Sequence, residues 1–323
     1  QTQWLYAAGE PARLDTLVVD RHGEIRENAP VAIIINRREV KTARVKGPGN
    51  AYLIRNVMNW VAESACQLKT TAAGATCEFV PDQAGYYQFV ASTLDSAGRE
   101  HHTTAYGWVT GSGYVAWDQS NDASLPIIAE KSSHAIGDTA RFLLQNPYPG
   151  ARALVTIERY GVIDSWTTEL ATSTPVIEVP IKADYLPGFY VSVVVVSPRV
   201  AAPPEPGRID LGKPGYRIGY LAVDVNDPGA RLAVEVTTNA KTVKPRDRVR
   251  ARIRVPRAPG ENPPVEFAVA VVDEAVLALN RNGATYYDPY AGFNRLDGLD
   301  VNNYSLLARL VGRQNFVSKG ANP

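Results

Sequence analysis

The sequence predicts an all-β protein made of tandem immunoglobulin-like β-sandwich domains with a short C-terminal helix. Runs of β-branched residues, such as "YVSVVVVS" at 190–197, alternate with Gly, Pro and Asp turns, as in sandwich proteins. Before residue 280, stretches with the 3.6-residue period of a surface helix are almost absent. Three similar segments begin at Ala7, Ala135 and Val243, 128 and 108 residues apart, which is about the length of one such domain.

The repeated segments share their turn chemistry. Each opens with Gly9, Gly137 or Pro245 and continues into an alternating apolar strand and then a second strand. A second repeated element, a Gly-aromatic-Tyr step at 85–87 and at 188–190, precedes a long strand in each case. Glycine permits a tight entry turn, and the aromatic rings are expected to anchor the strand in the core. We therefore predict domains at residues 1–112 and 113–228 and a partial domain at 229–323.

The third unit contains the apolar run "VEFAVAVVDEAVLAL" at 265–279. Both alternating faces are apolar from Phe267 to Val272, which predicts a strand buried on both sides. Asp273 and Glu274 interrupt the run; we interpret them as the point where the strand leaves the sheet, with a catalytic pair as the alternative. After an aromatic, glycine-rich loop, a helical stripe is formed by Leu306, Leu307, Leu310 and Val311. The residues that remain are too few to complete a sandwich, so we expect its closing strands to come from a longer chain or to be missing.

Cys66 and Cys77 are the two cysteines, and the small and polar residues between them indicate a hairpin tip. Folding about that tip would place the cysteines opposite each other, so a disulfide is expected, with two unrelated buried thiols as the alternative. Closing so short a loop would stabilise the fold by about 2–3 kcal/mol. A disulfide also predicts a location outside the cytosol.

Composition excludes several classes of function. Hydrophobic residues make up 45% and charged residues 21%, and the formal net charge is +1, which implies binding neither to nucleic acid nor to an anionic membrane. No apolar run approaches the roughly 20 residues that a membrane-spanning helix needs. Because Gln1 begins no signal-peptide pattern, we expect that any secretion signal has been removed or that the chain begins internally.

The sharpest charge pattern is "RDRVRARIRVPR" at 246–257. By the period of two, one strand face would carry Arg246, Arg248, Arg250, Arg252 and Arg254. The opposite face, Val249, Ala251, Ile253 and Val255, is predicted to be core. A stripe that binds an anion or a partner is one interpretation. The favoured one is a solvated or interdomain face that pairs with acidic neighbours and protects an exposed edge.

No motif for catalysis, a cofactor or a metal is recognised. His101 and His102 are adjacent on a predicted strand and would point to opposite faces, and His22 and His134 are isolated. Nucleotide-binding and hydrolase motifs are absent. The sequence therefore predicts a protein that is not an enzyme and has no cofactor. No aromatic platform is evident either, which disfavours the accessory domains of a carbohydrate-active enzyme.

Four segments, taken in order, resemble the bacterial members of the alpha-2-macroglobulin family. They are "C…GATCEFVPDQAGYYQF", "VASTLDSAGREHHTTAYGWVTG", "IGDTARFLLQNPYPGARALVTIERYGV" and "AVAVVDEAVLAL". The resemblance implies a fragment of a large, broad-spectrum protease inhibitor, in which a protease cuts an exposed bait region and the body rearranges around it. It further implies that the third domain leads to that bait region and that relatives are periplasmic, often anchored to the inner membrane. Neither cysteine lies in a thioester motif, so covalent capture cannot be assigned to this chain.

The resemblance also suggests a cleavable segment in "GRQNFVSKGANP" at 312–323. Arg309, Arg313 and Lys319 are candidate sites for a trypsin-like protease, and the alternative is that they are helix-end cations. The implied partners are target proteases and other domains of the parent chain, without nucleic acid and without direct membrane contact from this fragment. The alternative function is a cell-surface array of immunoglobulin-like domains for adhesion or protein binding.

Overall fold

In the computed structural model, regular structure is almost entirely β-strand, which confirms the predicted all-β class. No helix in the described part of the chain is long and apolar enough to cross a membrane. The helix predicted around Leu306 lies outside the described residues. The structure describes residues 4–46, 52–117, 123–203, 212–227, 233–240, 242–244, 247–256, 266–269, 271–272, 275–276, 296 and 298.

Seven strands form the first sandwich: β1 Leu5–Ala7, β2 Ala12–Thr16, β3 Pro30–Lys46, β4 Tyr52–Lys69, β5 Ala75–Phe79, β6 Gly85–Leu94 and β7 Glu100–Thr110. One sheet has the order β1-β7-β6-β3-β4, and β2 and β5 pair separately as the second sheet. All pairs are antiparallel except β1 with β7. Alternate residues of β2, β3 and β6 point inward and pack in one core with Tyr6, Cys77, Phe79 and Val109.

The second sandwich repeats this arrangement. Its strands are β8 Ile127–Ala129, β9 Ser133–Ala135, β10 Thr139–Leu144, β11 Ala151–Glu158, β12 Val162–Leu170, β13 Val176–Pro180, β14 Gly188–Ser197 and β15 Gly215–Asn226, with a one-turn 3-10 helix at Ala183–Tyr185. The sheets are β12-β11-β14-β15-β9 and β13-β10-β8. The core contains Phe142, Leu144, Val155, Ile157, Phe189, Val191, Val193 and Val195, all fully buried.

Apart from β8, which has no counterpart among the described strands of the first sandwich, the two sandwiches have the same topology, as the sequence repeat predicts. In each, a short strand joins the edge of the five-stranded sheet in parallel, β1 beside β7 and β9 beside β15. The repeat glycines Gly9 and Gly137 follow those short strands and adopt positive φ angles of 82° and 92°, which favour glycine. The Gly-aromatic-Tyr steps open β6 and β14. The boundaries at 112/113 and 228/229 themselves stay predictions.

Residues 111–117 lie against the second sandwich. The Gly111 N–H donates to Thr174 Oγ1 over 3.2 Å, and the Val115 N–H donates to Ser173 Oγ over 2.8 Å. The indole N–H of Trp117 donates to the Ser173 carbonyl over 2.8 Å, and its ring packs 5.5 Å from that of Trp108 in β7. This connecting segment is therefore packed between the two sandwiches.

The third unit differs from its prediction. Its described strands, β16 Glu235–Thr238 and β17 Ala251–Arg254, form a two-stranded sheet. The predicted doubly buried strand is wrong for the residues described: Phe267, Val269 and Val271 lie outside any strand and are 47%, 67% and 95% exposed. An apolar strand is buried only where other strands cover its faces, and the described residues supply no such cover here. Asp273 and Glu274 lie outside the described residues.

Candidate functional site

The arginine-rich segment is the first candidate from the sequence. Arg252 and Arg254 belong to β17, Arg248 and Arg250 immediately precede it, and all four are exposed. Asn239 holds the approach to the strand, since its side-chain oxygen accepts from the Arg250 N–H over 2.8 Å. The guanidinium of Arg254 lies 4.0 Å from the carboxylate of Glu235 on the neighbouring strand. Arg246 lies outside the described residues.

The face opposite these arginines is not a core. Val249 is 44% exposed, Ala251 is exposed, and Ile253 and Val255 are only half-buried. Val236 on the paired strand is exposed as well. The prediction of a buried opposite face is therefore wrong for these residues, because a two-stranded sheet buries neither face unless another layer covers it. Whether the arginines bind a partner stays a prediction.

The disulfide is present, but its setting differs from the expected hairpin. Cys66 and Cys77 are bonded across a sequence separation of 11, with their Cα atoms 5.9 Å apart. Cys66 lies on β4, and Cys77 lies on β5, which pairs with β2 in the other sheet. Thr70 stabilises the corner between them: its hydroxyl donates to the Arg26 carbonyl over 2.6 Å and accepts from the Ala29 N–H. The disulfide therefore joins the two layers of the first sandwich.

A row of aromatic rings crosses the outer face of the first five-stranded sheet. Trp60 lies 6.0 Å from Tyr86, Tyr86 stacks on Tyr106 at 5.4 Å, and Tyr86 also contacts Trp108 at 4.4 Å between ring centroids. The guanidinium of Arg38 lies 5.1 Å from the centre of the Tyr86 ring. The sequence does not reveal this row, because its members lie on three strands and meet only through the strand register. The alternation of aromatic residues in "TTAYGWV" was the one local signal.

Beneath the aromatic row, a polar cluster joins β3, β4 and β6. Arg37 donates to the carboxylate of Glu63 and, over 3.0 Å, to that of Glu39. The Tyr87 hydroxyl donates to Glu63 over 2.7 Å and contacts the Gln83 carbonyl at 2.8 Å. Burial, aided by the hydrogen bond to Glu63 and its charge, raises the pKa of Tyr87 well above the usual value. The cluster fixes the three strands where β3 and β6 cease to pair.

The histidine pair lies on β7, where the imidazole of His101 is 3.3 Å from the carboxylate of Asp95. Within the described ranges, no three metal-ligating side chains come together. The candidate cleavage residues Arg309, Arg313 and Lys319 lie outside the described residues, so the structure places none of them.

Residues 125–279 match the family model of the alpha-2-macroglobulin bait region domain. Over these 155 of its 323 residues, the chain is similar to the alpha-2-macroglobulin family. The match begins beside β8, covers the whole second sandwich and the arginine-rich segment, and ends with the apolar run of the third unit. It favours the macroglobulin interpretation over the adhesive array.

A curated relative of the family is an alpha-2-macroglobulin homolog of Nostoc sp., 21% identical over 282 residues. The match covers 87% of this chain and 14% of the relative, so the chain spans only about one-seventh of that protein's length. Similar solved structures include native Escherichia coli alpha-2-macroglobulin, with 17% identity, a TM-score of 0.30, and coverage of 81% of this chain and 16% of that chain. Salmonella alpha-2-macroglobulin reacted with methylamine has 16% identity and a TM-score of 0.29, with the same two coverages.

Proposed function

We propose that the chain is a structural part of a bacterial alpha-2-macroglobulin-like protease inhibitor that acts by bait cleavage and conformational trapping. A protease would cut an exposed bait segment, and the body of the parent protein would then rearrange around it. The partners of this chain would be target proteases and other domains of the parent. The observation that carries the proposal is the match of residues 125–279 to the bait region domain.

The packing of the two sandwiches supports this proposal. A cut in one segment moves distant parts of a protein only if the intervening domains move as rigid units. Each sandwich has its own buried core, and three hydrogen bonds from residues 111–117 hold the connecting segment to Ser173 and Thr174. The first two domains would therefore serve as a frame and would need no catalytic group of their own.

Limited proteolysis tests where the bait begins. We expect trypsin to cut first after Arg309, Arg313 or Lys319, as read from fragment masses, because these residues are the candidate cleavage sites. A variant with all three replaced by glutamine should lose these first cuts, while a matched triple change at Arg13, Arg152 and Lys131 should keep them. First cuts within either sandwich, or an unchanged cutting pattern in the first variant, would count against this bait position.

Trapping is tested on the parent protein. An enclosed protease keeps access to a small peptide substrate, whereas a large protein substrate is excluded by size. We therefore expect the parent protein to suppress digestion of a protein substrate and to spare hydrolysis of a peptide substrate. Equal loss of both activities would indicate active-site blockage and would refute trapping.

We also propose an extracytoplasmic location, in the periplasm or beyond, with anchoring of the parent to the inner membrane as a family expectation. The bonded pair Cys66–Cys77 supports it, because disulfides persist in oxidising compartments. Thiol labelling of the protein in intact cells should find both cysteines oxidised. A fully reduced pair would contradict this location.

A further inference from the structure

Strands β3 and β4 extend beyond the sheet to which they belong. The last pair between β3 and β6 is Arg37 with Tyr87, yet β3 and β4 continue to pair from Arg38–Trp60 out to Lys46–Tyr52. We call these two segments, 38–46 and 52–60, the ribbon. At about 3.3 Å per residue the ribbon projects roughly 30 Å from the sandwich. The cluster around Arg37 and Glu63 fixes its base.

The ribbon exposes apolar side chains on both faces. Val57 and Met58 are neighbours in β4, so they point to opposite faces, and they are 53% and 54% exposed. Trp60, at 42%, begins the aromatic row at the ribbon base. Exposed Trp, Tyr, Met and Arg side chains are the types enriched at the centres of protein interfaces. A two-stranded ribbon of this kind is marginally stable alone, so a bound partner would stabilise it.

Beyond Arg37 each strand of the ribbon has an outer edge, and that of β4 continues the edge of the five-stranded sheet, in which β4 is the terminal strand. The β4 side of the ribbon carries a charge at one of its nine positions, Arg55, whereas the β3 side carries charges at five of its nine. Charged side chains discourage strand addition, and an uncharged edge invites it. The edge of β4 is therefore the one that favours an added strand.

The ribbon is strongly basic although the chain is nearly neutral. Its cations are Arg38, Lys41, Arg44, Lys46 and Arg55, and its one acid is Glu39, so its formal charge is +4 against +1 for the whole chain. A second copy paired along the same edge would bring two such charges together, which disfavours self-association. A lipid surface would leave the backbone groups of the edge without hydrogen-bond partners. An acidic protein segment satisfies both the charge and the backbone.

We propose that the ribbon is a docking arm for an extended, acidic protein segment that adds as a strand along β4 between 52 and 62. Main-chain hydrogen bonds would supply affinity, and acidic side chains would pair with the ribbon cations. Apolar side chains of the segment would cover Val57 or Met58 and reach the ring of Trp60. The proposal is independent of bait cleavage.

The test uses the present chain and a short fluorescent peptide of alternating valine and glutamate, with a valine–lysine peptide as its control. We expect the acidic peptide to bind at least about tenfold more tightly, as measured by anisotropy, because opposite charges complement the arm. Hydrogen exchange should show protection gained in residues 52–62. Equal binding of both peptides, or protection confined elsewhere, would overturn the proposal.

Two matched charge variants test where the acidic peptide binds. Lys41→Glu, in the ribbon, should weaken acidic-peptide binding about fivefold or more. Lys69→Glu makes the same charge change at the far end of β4 and should leave binding within about twofold. Both side chains are exposed, and equal urea midpoints would show that neither change disturbs the fold. Equal losses in the two variants, or binding to anionic phospholipid vesicles without binding to the peptide, would refute an acidic-strand dock.

Discussion

Replacing Asn146 with leucine tests whether one buried amide holds the joint between the sandwiches. The Asn146 side chain is fully buried, and its amide donates to the carbonyls of Thr172 and Tyr148 over 2.9 and 3.1 Å. Its oxygen accepts from the Tyr148 N–H over 3.0 Å. The Asn146 backbone N–H bonds to the Ser173 carbonyl, which also receives the indole of Trp117. The Asn146 side chain therefore joins the loops at Tyr148 and Thr172, and its backbone N–H shares with Trp117 the carbonyl that holds the connecting segment.

The expected cost follows from these bonds. Asn146→Leu keeps a similar volume but leaves the Tyr148 N–H and the Thr172 carbonyl without this partner, whereas the Tyr148 carbonyl still accepts from the Ala151 N–H. At about 1 kcal/mol for each of these two groups, the free energy of unfolding should fall by about 2 kcal/mol. Asn146→Asp should be at least as damaging, because it retains the acceptor but buries a carboxylate facing two carbonyls.

Urea unfolding followed by tryptophan fluorescence measures this loss. Asn59→Leu, on the exposed edge of β4, is the matched control and should change stability by less than about 0.5 kcal/mol. Because the loop at Ser173 also binds the indole of Trp117, the loss of stability in Asn146→Leu should be accompanied by faster hydrogen exchange in residues 111–117. If Asn146→Leu is as stable as the control, the hydrogen bonds counted here do not hold the joint.

Three further changes test other parts of the fold. Cys66→Ser with Cys77→Ser should lower the free energy of unfolding by about 3 kcal/mol in urea, because the short loop is no longer closed. The hydrogen bond and the charge of Arg141 lower the pKa of Glu130. The pair therefore stabilises the folded state above about pH 4.3, and this stabilisation is lost as the pH falls through the folded-state pKa. Glu130→Gln should make the loss of stability at acid pH less steep. Gly219→Ala would place a Cβ 2.2 Å from a backbone oxygen and should cost about 2 kcal/mol or more, unlike Gly113→Ala, where nothing lies within 4 Å.

Each of these predictions has a clear contrary outcome. Wild-type protein in reductant should match the serine variant, and a loss below about 1 kcal/mol would mean that the disulfide is energetically minor. If the stability of Glu130→Gln falls at acid pH as steeply as that of the wild type, another carboxylate dominates the acid dependence. Similar melting temperatures for the two glycine variants would show that the sheet relaxes around the added methyl group.

Much of the architecture could be read from short segments. The turn glycines Gly9 and Gly137, the Gly-aromatic-Tyr steps and the alternating strands contributed to a prediction of three repeated units, and the first two share one arrangement in the structure. These signals are local, since alternation of side chains between faces is a property of the strand backbone itself. The same locality explains the two errors. Burial of Val269 and Val271, and of the face opposite Arg252, was inferred from composition, but burial requires a second layer.

The functional surfaces were harder to predict. The spacing of Cys66 and Cys77 indicated their bond but not that it crosses between layers, because β5 pairs with β2, about sixty residues earlier in the chain. Trp60, Tyr86 and Tyr106 form a row only because β4, β3, β6 and β7 lie side by side in that order. The ribbon exists because β3 is longer than β6 and continues past its end, which neither strand shows by itself.

The amino-acid sequence by itself determined the strand class, the repeat, the family resemblance and the basic character of residues 38–46. Only the tertiary structure decided which strands are neighbours, and with that the layer-crossing disulfide, the aromatic row and the open edge of β4. The physical reason is the range of the interactions. Propensity and alternation act over a few residues, whereas pairing and layer contact join positions that are distant in the chain and depend on the whole fold.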